Sequence, residues 1–488
     1  MISVTNDRVT RLSLSLNDAL KNIQRLGKGS TTIKERQEPK RSSWCLTIKG
    51  SLTKTLRTVL PSFALTLVVS LGVFSSISSQ ASAASSAQDA TSTKETSRQT
   101  GYEDVPEFGG PTSVGTQLKE DDAPKRPLYR FDQLQQLLSP YYGLKQQLHD
   151  RLGFSFSFDY TTLYQRVTDS PGRDHAASGI FRSYGEWTLL GRESGNTGSL
   201  VYRVEHRHQV GTAITPFVLG FEAGSTLPTA VAFNDFGWGV TNLYWQQRWF
   251  DGKLTGIIGQ IDVTDFLDIY GMINYLTAFT NFAFSVNPAI AVPNQGLGAT
   301  IGGFASEHFY IVAALADANG DPTKSGFDTF FYDHEYFTHV EVGWVSSFAK
   351  RYLDNVHLVV WHVDERNQAM VPDSWGLAFS ATTFVDDRWM PFLRLGWSDG
   401  DAAALEASAS LGVGHYFRQR GDLLGVGLNW GRPTVGTLDD QYTTELFYRL
   451  QFSPNVALTP DIQYIHHPAL NPEEDHVFAF GIRARLTL

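Results

Sequence analysis

Residues 476–488 read HVFAFGIRARLTL, and the two parities of this stretch are chemically opposite. His476, Phe478, Phe480, Ile482, Ala484, Leu486 and Leu488 form one series; Val477, Ala479, Gly481, Arg483, Arg485 and Thr487 form the other. A period of two belongs to a β-strand, whose successive side chains leave on opposite faces. In a soluble half-buried strand the apolar face meets the core and the polar face meets water. In a transmembrane barrel the apolar face meets lipid and the polar face lines the lumen. The stretch alone is compatible with both arrangements, and the rest of the chain decides between them.

From Phe154 onward the same period recurs. Phe154, Phe156, Phe158 and Tyr160 alternate with Ser155, Ser157, Asp159 and Thr161, and Leu200, Tyr202 and Val204 oppose Arg203, Glu205 and Arg207. Such runs predict about sixteen strands between residues 154 and 488, with eighteen as the alternative count. A doubtful seventeenth run at 215–226 is assigned to a loop. Short turns alternate with long links along the chain, which places the turns at one end and the long loops at the other. A soluble sandwich has no reason for that asymmetry, whereas outer-membrane barrels have it. Trp187, Trp245, Trp249, Trp344, Trp361, Trp389, Trp397 and Tyr464 fall on the apolar parity or at strand ends, as interfacial girdles require. The expected fold is therefore all-β: a transmembrane antiparallel β-barrel over 153–488, preceded by a short N-terminal helical segment.

On the opposite parity polar residues line up from strand to strand. They are Arg182 and Glu186; Arg203, Glu205 and Arg207; Gln246 and Arg248; Glu341 beside His339; and Asp364 with His362 and Arg366. Farther on come Arg394; Glu406; Glu445 and Arg449; Asp461 and Gln463; and Arg483 with Arg485. In hydrocarbon such groups are prohibitively costly, so their face must be wet or mutually paired. A lumen of guanidiniums, carboxylates and amides suits small sugars, whose hydroxyls donate and accept and whose ring faces stack on aromatic side chains. For any one residue the bland alternative is an Arg/Glu pair that only neutralises itself across the wall.

The longest link, 263–295, is too apolar for a solvated loop. Asp265, Phe266, Asp268, Tyr270, Tyr275 and Phe279 lie in it, and its aromatics need a place to be buried. The expectation is that it folds into the barrel and narrows the pore; an extra strand pair is the alternative. Asp317, Asn319, Asp321 and Asp328 are spaced only loosely like a calcium loop, with Gly320 misplaced and the closing Glu absent. The pairs His206/His208 and His466/His467 read as strand-end histidines at a membrane interface. No nucleophile elbow, Gly-rich phosphate loop or H-E-x-x-H run occurs. No metal, cofactor or enzyme activity is expected.

Composition and the N-terminus set the compartment. Aromatics at 13%, 43 glycines and only 18% charged residues favour strands over helices, and a mean hydropathy of −0.19 argues against a bundle of spanning helices. The first 57 residues carry 12 Lys/Arg against 4 Asp/Glu, and the apolar run Phe63–Phe74 leads to Ala81-Ser82-Ala83. Basic, apolar and then A-x-A is the order of a secretory signal. Residues 1–83 are thus predicted to be a basic leader plus signal peptide cleaved after Ala83, and Cys45, the only cysteine, leaves with it. Cleavage would take the net charge from −10 to about −18, which disfavours nucleic acid as a partner. Residues 84–128 read as a flexible polar segment, and 129–152 as one or two short periplasmic helices around Pro140, with leucines at helical spacing.

The segment YTTELFYRLQFSPNVALTPDIQYIHHP, residues 442–468, followed by the closing strand, resembles the C-terminal signature of the OprB-type carbohydrate-selective porins. The matching positions are Glu445, Tyr448, Arg449, Thr459, Pro460, Asp461, Gln463, Tyr464 and Pro468. YYGLKQQLHDRLGFSFSFDY, residues 141–160, is similar to the family's opening motif at Gly143, Leu144, Leu148, Gly153 and Tyr160, with Tyr141 and Tyr142 replacing its usual tryptophan-bearing start. Thr264, Asp265, Phe266, Asn287 and Pro288 also match, as does Asp317-Ala318-Asn319-Gly320. The resemblance covers about 140–488. It implies a sixteen-stranded barrel in the outer membrane of a Gram-negative bacterium that passes sugars by diffusion through a constriction bearing Arg and Glu. One departure is Leu488, where such barrels usually end in Phe.

The expected partners are small sugars, outer-membrane lipid and the outer-membrane assembly machinery, with monomer and trimer both open. Two alternatives remain beside the sugar channel: a general or differently selective porin, and a non-conducting barrel acting as receptor, adhesin or enzyme.

Overall fold

The computed structural model describes residues 108–417 and 421–488. The basic leader, the signal with its expected cleavage after Ala83, and Cys45 lie outside the described residues.

Sixteen strands form among the described residues. The first eight are β1 (Phe154–Val167), β2 (His175–Leu190), β3 (Gly198–Gln209), β4 (Gly237–Trp249), β5 (Leu254–Ile261), β6 (Gly296–Phe304), β7 (Phe309–Asp317) and β8 (Tyr336–Val345). The others are β9 (Asn355–Val363), β10 (Ser374–Thr382), β11 (Trp389–Asp399), β12 (Leu405–Tyr416), β13 (Leu423–Pro433), β14 (Gln441–Gln451), β15 (Val456–His466) and β16 (His476–Thr487). Each pairs antiparallel with its neighbours in sequence, and β1 pairs with β16 to close the barrel. Ser157 Oγ donates to the Leu488 carbonyl at 2.6 Å, and the Leu488 N–H donates to the Phe158 carbonyl at 2.8 Å. Closure leaves no unpaired edge, the condition for strands to lie in hydrocarbon.

Turns 250–253, 305–308 and 452–455 lie at one end of the barrel, and links 210–236, 262–295 and 318–335 at the other. The doubtful run at 215–226 holds no strand. It contains a short helix (Pro216–Glu222) begun by a proline in its first turn.

The two faces separate as the alternation predicts, with two corrections. On β9, Val356, Leu358 and Val360 are exposed on the outer wall, while Asn355, His357, Val359, Trp361 and Val363 are buried inside. Trp361, expected outside, is therefore inside. His362 points outward, and Asp364, expected to line the lumen, lies just past the strand end, where it accepts from the Tyr336 N–H at 2.9 Å and stays partly exposed. The strand NVHLVVWHV carries large apolar residues on both parities, so amphipathicity does not phase it. Near the long-loop end, moreover, an outward histidine remains solvated. The second correction is Glu406. A bulge breaks the register between Leu405 and Ala407, Leu405 takes the buried position, and Glu406 is left half-buried without a partner in the ladder.

The N-terminal segments also differ from their expected form. The sequence predicts a flexible polar stretch over 84–128, yet Phe108 to Leu118 are buried within the barrel and run into helix α1 (Val114–Asp122). Residues 129–152, predicted as one or two short helices, form one helix, α2 (Asp132–Leu152), with Pro140 inside it. It stops at Gly153, which adopts φ +69, a left-handed conformation that glycine takes without steric cost. Arg192 donates to the last carbonyls, of Arg151 at 2.9 Å and Asp150 at 3.0 Å.

The hydrophobic core sits inside the barrel, between wall and inserted chain. Phe279 meets Phe284, Phe447 and Phe392 at centroid distances of 4.8, 4.9 and 5.9 Å. Inner-wall glycines make room for these rings: a Cβ on Gly427 would stand 2.7 Å from Phe284, and one on Gly302 only 1.8 Å from Phe108.

Candidate functional site

The link between β5 and β6, residues 262–295 where the sequence predicts 263–295, lies inside the barrel, and no strand pair forms in it. Asp265, Phe266, Asp268, Tyr270 and Phe279 are buried and Tyr275 is partly buried. Two short 3-10 turns, Val263–Asp265 and Phe282–Phe284, are its only regular structure. A loop without secondary structure leaves its backbone groups to be satisfied by side chains, and the inward wall residues do this in three clamps.

The first clamp is Asp268. Its carboxylate pairs with Arg394, accepts from the Asn287 N–H at 2.9 Å and lies 3.1 Å from His357 Nε2. The Asp268 N–H donates to Glu341 at 2.7 Å, and Tyr310 donates to the other oxygen of Glu341 at 2.7 Å. Arg394 also donates to the Ser285 carbonyl and covers the Tyr270 ring, 4.6 Å from its centroid. The second clamp is on β14 to β16. Glu445 accepts from the backbone N–H groups of Thr280 (2.7 Å) and Asn281 (2.9 Å), Gln463 accepts from Asn281 Nδ2 (2.9 Å), and Arg483 donates to the carbonyls of Tyr275 and Ala278 (2.7 Å). Asp461, buried beside them, accepts from Gln463 at 3.2 Å.

The third clamp joins loop, wall and N-terminal segment. Arg203 lies 3.3 Å from Glu205, 3.4 Å from Asp262 and 3.5 Å from Asp265, and donates to the Thr112 carbonyl at 2.8 Å. Arg207 pairs with Glu205 at 2.6 Å. Phe108 to Asp122 runs past this point across the short-turn side of the loop. Its Gly110 N–H donates to the Asp265 carbonyl (2.8 Å), its Pro111 carbonyl accepts from Asn274 (3.0 Å), and Asp121 accepts from Tyr184 and from Arg485 (2.9 Å). Arg485 also reaches Asp159 (2.7 Å), which Arg182 holds in turn (2.8 Å). Burial disfavours the Asp121 charge, yet Arg485 and then Lys125 outweigh it and hold the carboxyl well below the usual range.

Asp265 behaves oppositely. Burial pushes it up to about 7 against the pull of Arg203, with Asp262 adding to the rise. Its folded value stands above the ordinary carboxylate value of ~4, so the folded loop keeps a proton that an unfolded chain has released. Its contribution is full below about pH 4 and is lost as the pH rises through about 7. Protection of the loop from added protease is expected to fall between pH 6 and pH 8. Equal protection at both would remove Asp265 as its cause.

The remaining sequence-predicted residues are less central. Arg248 lies 3.9 Å from Glu186 and beside the Gln246 amide, and Arg449 reaches the carbonyls of Thr277 (3.4 Å) and Gly421 (3.3 Å). Asp364 and Glu406 stand apart from the network. Asp159, Asp121, Asp262, Thr280, Asn281 and His357 belong to the network and were not singled out from the sequence. Asp159 was visible as an inward position of β1, and His357 would have followed from the correct phase of β9.

A profile of the carbohydrate-selective porin, OprB family, matches residues 187–488. Among curated proteins, Porin AaxA of Chlamydia pneumoniae is 28% identical over 123 residues, 23% of this chain and 28% of that one. Porin AaxA of Chlamydia abortus is 24% identical over 221 residues, 43% of this chain and 49% of that one. The chain thus spans between about a quarter and a half of the length of these relatives. Among solved structures, the high-pH structure of Pseudomonas putida OprB aligns with a TM-score of 0.56 at 14% identity, over 71% of this chain and 97% of that one. That likeness speaks to the fold.

Proposed function

We propose, from the premise that this chain belongs to the carbohydrate-selective porins of the OprB family, that it passes small neutral carbohydrates by diffusion along the lumen, past the constriction made by link 262–295. It is a porin, a channel and not an enzyme, and family and barrel together imply an outer-membrane protein. The sugar preference rests on one observation: inward guanidiniums lie against carboxylates. Arg182 with Asp159, Arg207 with Glu205, Arg394 with Asp268 and Arg485 with Asp121 are all such pairs. Paired charges cancel at a distance, so an ion gains little from entering. An uncharged polyol loses nothing by that cancellation, and the partly exposed side chains of Arg485 and Lys125 still offer it donors.

The expectation is a small conductance with weak ion selectivity that mono- or oligosaccharides block in a concentration-dependent way. Planar-bilayer recording, followed by a sugar-by-sugar liposome swelling series, checks it. Current that no sugar reduces points to a general porin. A barrel without conductance steps supports the second reading, a receptor or adhesin, which the close packing of link 262–295 and α1 inside the barrel favours. Export through a signal cleaved after Ala83 belongs to the same reading, and the N-terminal mass of the protein purified from membranes tests it.

A further inference from the structure

Helix α2 carries an apolar stripe of which Leu134, Leu137, Leu144 and Leu152 are left exposed among the described residues. Leu134, Leu137, Tyr141, Leu144, Leu148 and Leu152 recur at intervals of three and four, which stacks them on one side of a helix. Asp132, Gln136, Ser139, Gly143, Gln147 and Asp150 recur in the same way on the other side. Leu137 is 75% exposed and Leu144 49%, as bare as Leu358 (41%) and Leu411 (53%) on the outer wall.

Its neighbours say what surrounds the stripe. Tyr141 meets Phe156 edge-on at 6.1 Å, and Phe156 stacks on Phe154 at 5.5 Å. Phe154 in turn lies against Trp187 (6.3 Å) and Tyr202 (6.4 Å). All four wall aromatics belong to the outward parity of β1 to β3 at their short-turn ends, the position of an interfacial girdle. Trp187 Nε1 donates to the Leu152 carbonyl at 3.0 Å, so the helix is fastened to the girdle itself. Its other flank is held to the β14–β15 turn, where Asn455 Nδ2 donates to Tyr142 (2.6 Å) and Gln135 donates to Asn455 (3.1 Å). The leucine stripe therefore continues the apolar outer surface of the barrel. No helix among the described residues is apolar enough to cross a membrane, and an amphipathic helix docked at a girdle lies in the plane of the interface.

We infer that α2 is an in-plane membrane anchor whose leucine stripe enters the phospholipid leaflet at the short-turn end of the barrel. The inference rests on the reading of the outer wall as lipid-facing. Asp132 and Asp150 balance Lys145 and Arg151, so insertion is driven by apolar burial and not by anionic headgroups. Because only Gly153 separates α2 from β1, the anchored helix also sets the depth at which β1 begins.

The test uses the full chain with Cys45→Ser and one new cysteine at a time, labelled with an environment-sensitive fluorophore and reconstituted in phosphatidylcholine vesicles. Leu137→Cys probes the stripe, Gln147→Cys the opposite side and Leu358→Cys the barrel wall. Spin-labelled lipid is expected to quench the probes at 137 and 358 several-fold more than the probe at 147, with iodide showing the reverse order. An equal response to anionic and zwitterionic vesicles is expected as well, and a strong preference for anionic lipid would overturn the apolar mechanism. If the probe at 358 meets lipid while that at 137 follows 147, the anchor is overturned and the barrel reading stands. If 358 itself follows the aqueous quencher, the lipid-facing wall fails and the anchor with it.

Discussion

A chain lacking Phe108–Asp122 is expected to conduct several-fold more current per channel than the intact protein. The segment crosses the lumen on the short-turn side of the constriction loop, fixed at three places. Phe108 packs against Gly302 and lies 4.2 Å over Arg351, Thr112 accepts from Arg203 at 2.8 Å, and Asp121 pairs with Arg485 at 2.9 Å. Removing it deletes volume from the path without touching any of the sixteen strand pairs. It also changes the field. Arg351 is buried against the rings of Phe108 and Tyr310, with none of its guanidinium nitrogens hydrogen-bonded among the described residues. Losing Phe108 opens that cation to the lumen, while Arg485 loses one of its two carboxylates. Anion selectivity should therefore rise together with conductance, read as a shift in reversal potential under a salt gradient. Asp121→Asn, which keeps the volume and removes one charge, is expected to move selectivity with little change in conductance. An unaltered conductance in a shortened protein that still migrates as a folded barrel in unheated gels would show that solutes do not pass the segment.

Asp268→Ala should release the constriction loop and leave the barrel standing. Asp268 is fully buried, takes φ 52, and holds Arg394, His357 and the Asn287 N–H at once. Removing one member of a buried pair strands the other charge, an effect of ~3–5 kcal/mol. That loss falls on the loop, since Asp268 takes part in no strand ladder. The expected signs are new protease cleavage within 262–295, noisy and enlarged single-channel currents, and loss of sugar block, with the heat-dependent gel shift of the barrel unchanged. Asp268→Asn, which keeps the size and part of the hydrogen bonding, should fall between the two. Full protection and quiet currents in the alanine variant would show that Glu445, Gln463 and Arg483 suffice to hold the loop.

Most of the wall was legible in the sequence because its cause is local. A strand whose faces meet lipid and polar interior has to alternate, so the limits and facing of nearly every strand could be read two residues at a time. Alternation does not phase β9, where Val359 and Trp361 on the inner face are as apolar as Leu358 and Val360 on the outer one. It is lost again at Glu406, because parity does not survive a bulge. The inward turn of link 262–295 was legible for the same kind of reason: its aromatic content admits no solvated conformation.

The partners of the polar residues were not legible, and neither was the fate of the N-terminal segment. Glu445 is satisfied by Thr280, 165 positions away, and Arg485 by Asp121, 364 positions away. Composition makes 108–122 look like any mobile Gly- and Pro-containing stretch. The amino-acid order alone thus determined a closed wall with a greasy outside, a polar inside and one loop turned in, since periodicity acts between neighbouring residues. Which charges cancel, how the loop is clamped and what else occupies the lumen were decided only by the tertiary structure. Those contacts join parts of the chain that meet only after the barrel has closed around them.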